Sequence, residues 1–292
     1  MRTYLLPRPW WATLAALPLL AGCESKFDID LVVGPAPEES NVTVRVEGVD
    51  LRRIDGDLEK VRRNATGEFE SQAGSPDTAR ELVTDAKIDN GEYAGVRLIL
   101  AEDAGDVQVE GEPDELIEPS ATADTRDAEV AFDFEDNDDN DVGVVVALDL
   151  VLSLSQDNGE GEYTLDPVIR AMETEDAAGI NGTIPASRFD DAACDEGTKR
   201  VYAFVGTGVE PDERDGNEAE PIAVADIVRT SAVSAGTFEF QYMPPDDYTL
   251  AFTCEGEFEN GIEPADDEVI DFFEGADIRL DPGEELQVEF DD

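Results

Sequence analysis

Val42-Thr43-Val44-Arg45-Val46-Glu47-Gly48-Val49-Asp50-Leu51 decides the fold. Valines at 42, 44 and 46 alternate with Thr43, Arg45 and Glu47, the period-two pattern of a strand with one buried face. Asp55-Gly56 follows as a tight-turn signal, and Leu58 to Val61 supplies the returning strand, so the stretch predicts a β-hairpin. Upstream, Phe27, Ile29 and Leu31 alternate with Asp28 and Asp30, and Gly34-Pro35-Ala36-Pro37 ends that strand.

The same pattern continues downstream. Strands are expected at Val96 to Leu100, Val107 to Glu110, Ala128 to Phe134, Val144 to Leu154, Tyr163 to Ile169 and Gly179 to Ile184, the last closing a first domain. Asn90-Gly91 marks a turn. Ser75-Pro76-Asp77 reads as a helix start, with Ser75 as N-cap and Pro76 in the first turn, and predicts a short helix to about Val83. A second unit follows Ser187 to Ala193. Val201, Ala203 and Val205 alternate with Tyr202 and Phe204, bulky on both faces, which predicts a central strand. Ile222 to Val228, Thr237 to Gln241, Tyr248 to Thr253, Ala276 to Leu280 and Leu286 to Phe290 complete the set, with Pro282-Gly283 as a final hairpin turn. Short strands at this spacing predict an all-β protein of two sandwiches.

Before the first strand, Met1 to Pro9 carries Arg2 and Arg8 and no acid, and Trp10 to Leu20 is apolar apart from Thr13. Eleven helical residues rise only about 16 Å, roughly half a hydrocarbon core, which suits a secretory leader rather than a membrane span. The run closes on Leu20-Ala21-Gly22-Cys23, which resembles the bacterial lipobox. That resemblance implies cleavage before Cys23 and acylation of the cysteine. The expected organisation is a signal peptide over 1–22, a lipidated tether over 23–26, sandwiches over 27–185 and 194–292, and a linker over 186–193. The localisation expected is the cell envelope, as a membrane-anchored lipoprotein facing the periplasm or the exterior.

Twenty Lys and Arg stand against 72 Asp and Glu, a formal charge of −52. Losing residues 1–22 removes two arginines and no acid, so the mature chain carries −54. A single-sign surface of this strength repels itself, and molar salt relieves that by shortening the screening length to about 3 Å. The composition therefore reads as adaptation to brine. It disfavours nucleic acid, whose phosphates need clustered Lys and Arg. It leaves membrane attachment to the lipid on Cys23.

The chain has no histidine, which excludes Ser-His-Asp and Cys-His catalysis and histidine-ligated zinc. Both tryptophans, Trp10 and Trp11, lie in the leader, so no indole platform remains for sugars. Cys194 and Cys254 are left after Cys23. They either pair, closing a loop worth about 4 kcal/mol in an oxidising envelope, or stay as two buried thiols. Asp133, Asp136, Asp138, Asn140 and Asp141 offer the oxygen ligands calcium takes. The loop lacks the EF-hand register, since counting from Asp136 puts Asp141 at position six and Ala147 at position twelve; a solvated acidic loop is the simpler reading. No cofactor is required, with Ca²⁺ the candidate if there is one.

Ordered short motifs resemble a family of bacterial lipoprotein domains, domain of unknown function 4382. They are Val46-Glu47-Gly48-Val49, Gly91-Glu92-Tyr93, Glu118-Pro119-Ser120, Leu148-Asp149-Leu150, Tyr163 to Arg170 and Gly179-Ile180-Asn181-Gly182. This implies an envelope-anchored sandwich over about 27–185 with no catalytic residues to carry across. Gly236 to Phe240 and Met243-Pro244-Pro245-Asp246-Asp247-Tyr248-Thr249-Leu250 resemble prealbumin-like or carboxypeptidase-regulatory-like modules, with Asp246 where that family usually has glycine. Such modules are accessory and non-catalytic. A tyrosine opens a strand just after a turn at Tyr93, Tyr163 and Tyr248, where the ring packs at a sandwich edge and the hydroxyl reaches backbone; a tyrosine-lined sugar site is the sharper alternative. The function expected is a non-catalytic binding or structural module with an unknown protein or glycan partner. The alternatives are a calcium-dependent adhesion or sugar-binding module and, in another class, a carboxylate-based metal-dependent hydrolase.

Overall fold

A computed structural model of the chain describes residues 25–37, 40–72, 78–109, 115–119, 125–135, 141–156, 163–190, 194, 197–212, 219–231, 233–256 and 270–291. The chain is all-β. The hairpin read from Val42 onward forms: β2 (Ser40–Arg53) pairs antiparallel with β3 (Leu58–Gln72). Gly56 sits in the turn at φ +91°, a conformation that costs a glycine little. On its other side β2 pairs with β5 (Gly91–Val109) from Ser40↔Val109 to Arg53↔Tyr93. That sheet also holds β6 (Glu115–Pro119), β7 (Thr125–Phe134), β9 (Leu154–Gln156) and β10 (Tyr163–Leu165). Facing it is a four-stranded sheet in the order β11 (Val168–Glu173), β8 (Val142–Asp149), β1 (Phe27–Val33), β4 (Arg80–Ala86). Phe27, Ile29 and Leu31 meet Val42, Val44 and Val46 in the core between the two sheets.

The second sandwich has two four-stranded sheets. One runs β15 (Val228–Arg229), β16 (Gly236–Met243), β12 (Ala178–Ile184), β19 (Glu285–Glu289); the other runs β14 (Ala223–Asp226), β13 (Arg200–Val205), β17 (Asp247–Thr253), β18 (Phe273–Arg279). Ile180, Ile184, Val201, Phe238, Phe240, Leu250 and Phe252 fill its core.

Five local expectations are corrected. The helix expected to reach about Val83 is replaced over 80–86 by β4, which pairs antiparallel with β1; residues 75–77 lie outside the described set. Irregular register against β1 lets the consecutive Leu82 and Val83 both bury, a tertiary gain that outweighs a local capping signal. The strand expected over 144–154 breaks at Asp149, which caps the four-residue helix α1 (Leu150–Ser153) by accepting from the Leu152 N–H at 3.1 Å. Asp166-Pro167 splits the Tyr163 to Ile169 strand into β10 and β11. Gly179 to Ile184 does not pair within the first sandwich: as β12 it lies between β16 and β19, and its apolar residues belong to the second core. Finally, Pro282-Gly283 turns the chain from one sheet to the other, because β18 pairs with β17 and β19 with β12, so it is no hairpin.

Candidate functional site

Two places concentrate specific side-chain chemistry: the end of the first sandwich where the chain enters, and the junction between the sandwiches.

At the entry end, the Ser25 hydroxyl donates to the Glu135 carbonyl at 3.0 Å, and the Lys26 N–H donates to Asp141 Oδ1 at 2.8 Å. Lys26 Nζ meets Asp85 at 2.8 Å, an exposed pair whose ammonium is held above the usual lysine range chiefly by that hydrogen bond. These contacts fix the chain just before β1. An aromatic row crosses the sandwich behind them. Phe27 stacks on Phe132 at 5.3 Å, Phe132 on Tyr93 at 5.0 Å, and the Arg53 guanidinium lies 5.1 Å from the Tyr93 ring centre. The Tyr93 hydroxyl reaches the Asp89 carbonyl at 2.6 Å and the Glu59 carboxylate.

The junction explains two runs that read as apolar on both faces. Along β8, Val144, Val146 and Leu148 face the first core, while Val145 and Ala147 join Val32, Met172 and the ring of Tyr242 from the second sandwich. Along β13, Val201 and Ala203 face the second core, while Tyr202 and Phe204 pack with Leu152, Val168 and Phe272. A strand covered on both faces has no polar face to show.

Polar groups lock this contact. Arg170, on β11, is nearly buried and donates from Nε to the Tyr242 carbonyl at 2.9 Å and from Nη2 to the Gln241 carbonyl at 3.1 Å. Tyr242 has φ +52°, in the left-handed region, which is uncommon for a residue of this size. Asp149 answers from the other side: its Oδ2 accepts the Val224 N–H at 2.9 Å. Burial raises the Asp149 carboxyl above the usual range, and Arg170, the two backbone N–H groups and Arg200 pull it back. Arg200, wholly buried, donates to Asp226 Oδ1 at 3.1 Å and to the Gly256 carbonyl. A cleft of about 300 Å³ opens beside these groups, lined by Pro35, Asp149, Arg170, Asn181, Val224 and Glu239 among others. Its charged members already have partners, so the arrangement holds two sandwiches together rather than poising an acid or base.

The residues singled out from sequence fall as follows. Cys194 and Cys254 form a disulfide with Cα atoms 4.9 Å apart, inside the second core. Cys23, Asp136, Asp138 and Asn140 lie outside the described residues. Asp133 is exposed near the end of β7, and Asp141 is engaged with the Lys26 backbone. Among the described residues, no group of three or more Cys, Asp or Glu is arranged to hold a metal ion. Tyr93 and Tyr248 both bury their rings and send their hydroxyls to the carbonyl four residues earlier, Asp89 and Pro244, at 2.6 Å. They sit in different sandwiches and line no common pocket. Sequence reading gave Asp149 and Arg170 no role. The signal was there for Asp149, a lone acid inside an otherwise apolar run from Val144 to Leu152. Arg170 and Tyr242 carried none.

No family model matches the chain, and no curated protein matches it. The resemblance to domain of unknown function 4382 therefore rests on its ordered motifs alone. Among solved structures, a leucine-rich repeat protein from Bacteroides thetaiotaomicron overlaps 91% of this chain and 26% of its own length, at 9% identity and a TM-score of 0.25. The Bacillus anthracis TIE protein overlaps 91% and 34%, at 10% identity and 0.20. The fimbrial anchor protein Mfa2 from Porphyromonas gingivalis overlaps 86% and 82%, at 11% identity and 0.22. The chain thus spans about a quarter and a third of the first two. Overlaps this loose carry neither fold nor function across.

Proposed function

We propose that the chain is a lipid-anchored protein of the cell envelope of a halophilic bacterium and serves there as a non-catalytic binding or structural module. The observation that carries this reading is Leu20-Ala21-Gly22-Cys23 at the close of an eleven-residue apolar run, four residues ahead of β1. Fatty acyl chains on Cys23 hold at the membrane a body whose net charge of −54 would keep it off an anionic bilayer in dilute buffer. In brine the same charge keeps the surface solvated. The buried ionic groups support a structural role, because Asp149 and Arg170 are committed to backbone groups and Arg200 to Asp226 and the Gly256 carbonyl.

Metabolic labelling with a palmitate analogue tests the anchor. The mature chain is expected to carry label and to fractionate with membranes, and Cys23→Ser is expected to lose both. An unlabelled wild-type chain recovered as a soluble species overturns the reading. Capture of partners from a detergent extract at native salinity then identifies what the module binds.

A further inference from the structure

We infer that the β2–β3 hairpin tip is a second, non-covalent membrane contact, docking into the surface of the same bilayer that receives the acyl chains of Cys23. This rests on the lipid-anchor reading and adds a surface to it. Ser25 stands two positions after Cys23, and two residues of chain span at most about 7 Å. The bilayer therefore lies against the end of the first sandwich where β1 begins.

The register of the strands shows what else is at that end. Phe27 pairs with Ala86 and Val142, Gly91 with Phe134, and Arg53 with Tyr93. The aromatic row from Phe27 through Phe132 and Tyr93 to Arg53 sets one level across the sandwich. Lys26 and Ile54 both lie just beyond that level. The hairpin and the turn between β4 and β5 lie at this end, as do Glu135 at the end of β7 and Asp141 at the start of β8. At the hairpin tip Ile54 is 69% exposed and Leu58 40% exposed, the two large apolar side chains of the first sandwich that face solvent this openly among the described residues. They flank Asp55-Gly56-Asp57 in a narrow turn.

The charged groups around the tip fit a lipid surface. Three of the four lysines in the chain, Lys26, Lys60 and Lys87, are at this end and exposed. Long ammonium side chains beside inserted apolar residues reach headgroup phosphates. Acids share the end: Asp55, Asp57, Asp85, Asp89, Glu135 and Asp141. Attraction between opposite charges is therefore not the driving force. Apolar insertion drives the contact, and molar salt, by screening the acids from anionic headgroups, favours it. This sets it apart from polybasic membrane binding, which salt abolishes.

The test uses the full acylated protein reconstituted into phosphatidylglycerol–phosphatidylcholine vesicles in molar NaCl. Ile54→Cys, Leu58→Cys and Val233→Cys each offer one free thiol for an environment-sensitive dye, since Cys194 and Cys254 are paired and Cys23 is acylated. Val233 belongs to the second sandwich and precedes the start of β16, the strand whose other end carries the junction residues Gln241 and Tyr242. Brominated lipid is expected to quench dye at 54 and 58 at least threefold more than at 233, with no loss of the difference as salt is raised. Vesicles that float with bound protein but quench all three positions equally overturn the docking and leave the anchor standing. Protein that does not float with the vesicles overturns the anchor, and the docking falls with it.

Discussion

Replacing Arg170 by alanine removes the side chain on which the junction between the sandwiches depends. Its guanidinium donates to two backbone carbonyls, of Gln241 and Tyr242, from a position nine-tenths buried. Hydrogen bonds to a charged group contribute about 1.5–3 kcal/mol each. Arg170 is also the strongest of the charges that hold down the Asp149 carboxyl, and stripping a partner from a buried ionic pair costs about 3–5 kcal/mol. These contributions overlap, because both measure the burial of the same cation, so the expected loss is about 3–5 kcal/mol rather than their total. Urea unfolding in molar salt, followed by far-ultraviolet circular dichroism, measures it. The wild type is expected to unfold in one transition. In Arg170→Ala the transition is expected to move to lower urea and to split in two, since each sandwich keeps its own core. Arg170→Lys should recover the charge opposite Asp149 without the two-carbonyl fork, and so regain only part of the loss. A shift in Arg170→Ala below about 1 kcal/mol with a single unchanged transition would refute the latch.

Other expectations follow from equally local facts. Reducing Cys194–Cys254, 60 residues apart, is expected to cost about 4 kcal/mol of stability and to lower the melting temperature measured with and without dithiothreitol. Gly105→Val should abolish folding or cut the yield sharply, because any Cβ there would lie 1.6 Å from the Thr43 carbonyl oxygen across the β2–β5 pairing; circular dichroism and expression level report it. Arg97 donates to both oxygens of Asp127, at 2.6 and 2.9 Å, and holds its carboxyl below the usual range. A carboxyl depressed in the folded state stabilises above its unfolded value, and that contribution is lost as pH falls through the folded one. Carbon-detected titration should therefore find Asp127 among the last carboxyls to protonate on acidification, and Arg97→Gln should return it to the ordinary range.

Much of the strand content was legible because one-sided burial leaves a period-two trace. Phe27 to Leu31 and Val42 to Leu51 show it plainly, and both strands form where expected. The same trace does not name the neighbour that covers a face. Val144 to Leu154 and Tyr202 with Phe204 are apolar on faces that a lone sandwich would expose, and only the second sandwich covers them. The pattern registers burial and says nothing about which neighbour provides it. For the same reason Gly179 to Ile184 looked like the last strand of the first unit when its partners, β16 and β19, come about sixty and more than a hundred residues later. At the entry end, the acidic loop offered ligand types without positions. Asp141 proves to be bound to the Lys26 backbone.

The amino-acid sequence by itself determined the all-β class, the excess of acids over bases, the lack of histidine and the Leu20-Ala21-Gly22-Cys23 stretch that resembles a lipobox, since each is a property of composition or of neighbours along the chain. Tertiary structure alone decided that β12 belongs to the second sandwich, that Arg170 and Asp149 lock the two sandwiches together, and that Ile54 and Leu58 lie at the same end as Ser25 and Lys26. Those outcomes depend on groups far apart in sequence meeting in space, where desolvation and hydrogen-bond geometry choose the partners, and no local pattern encodes that choice.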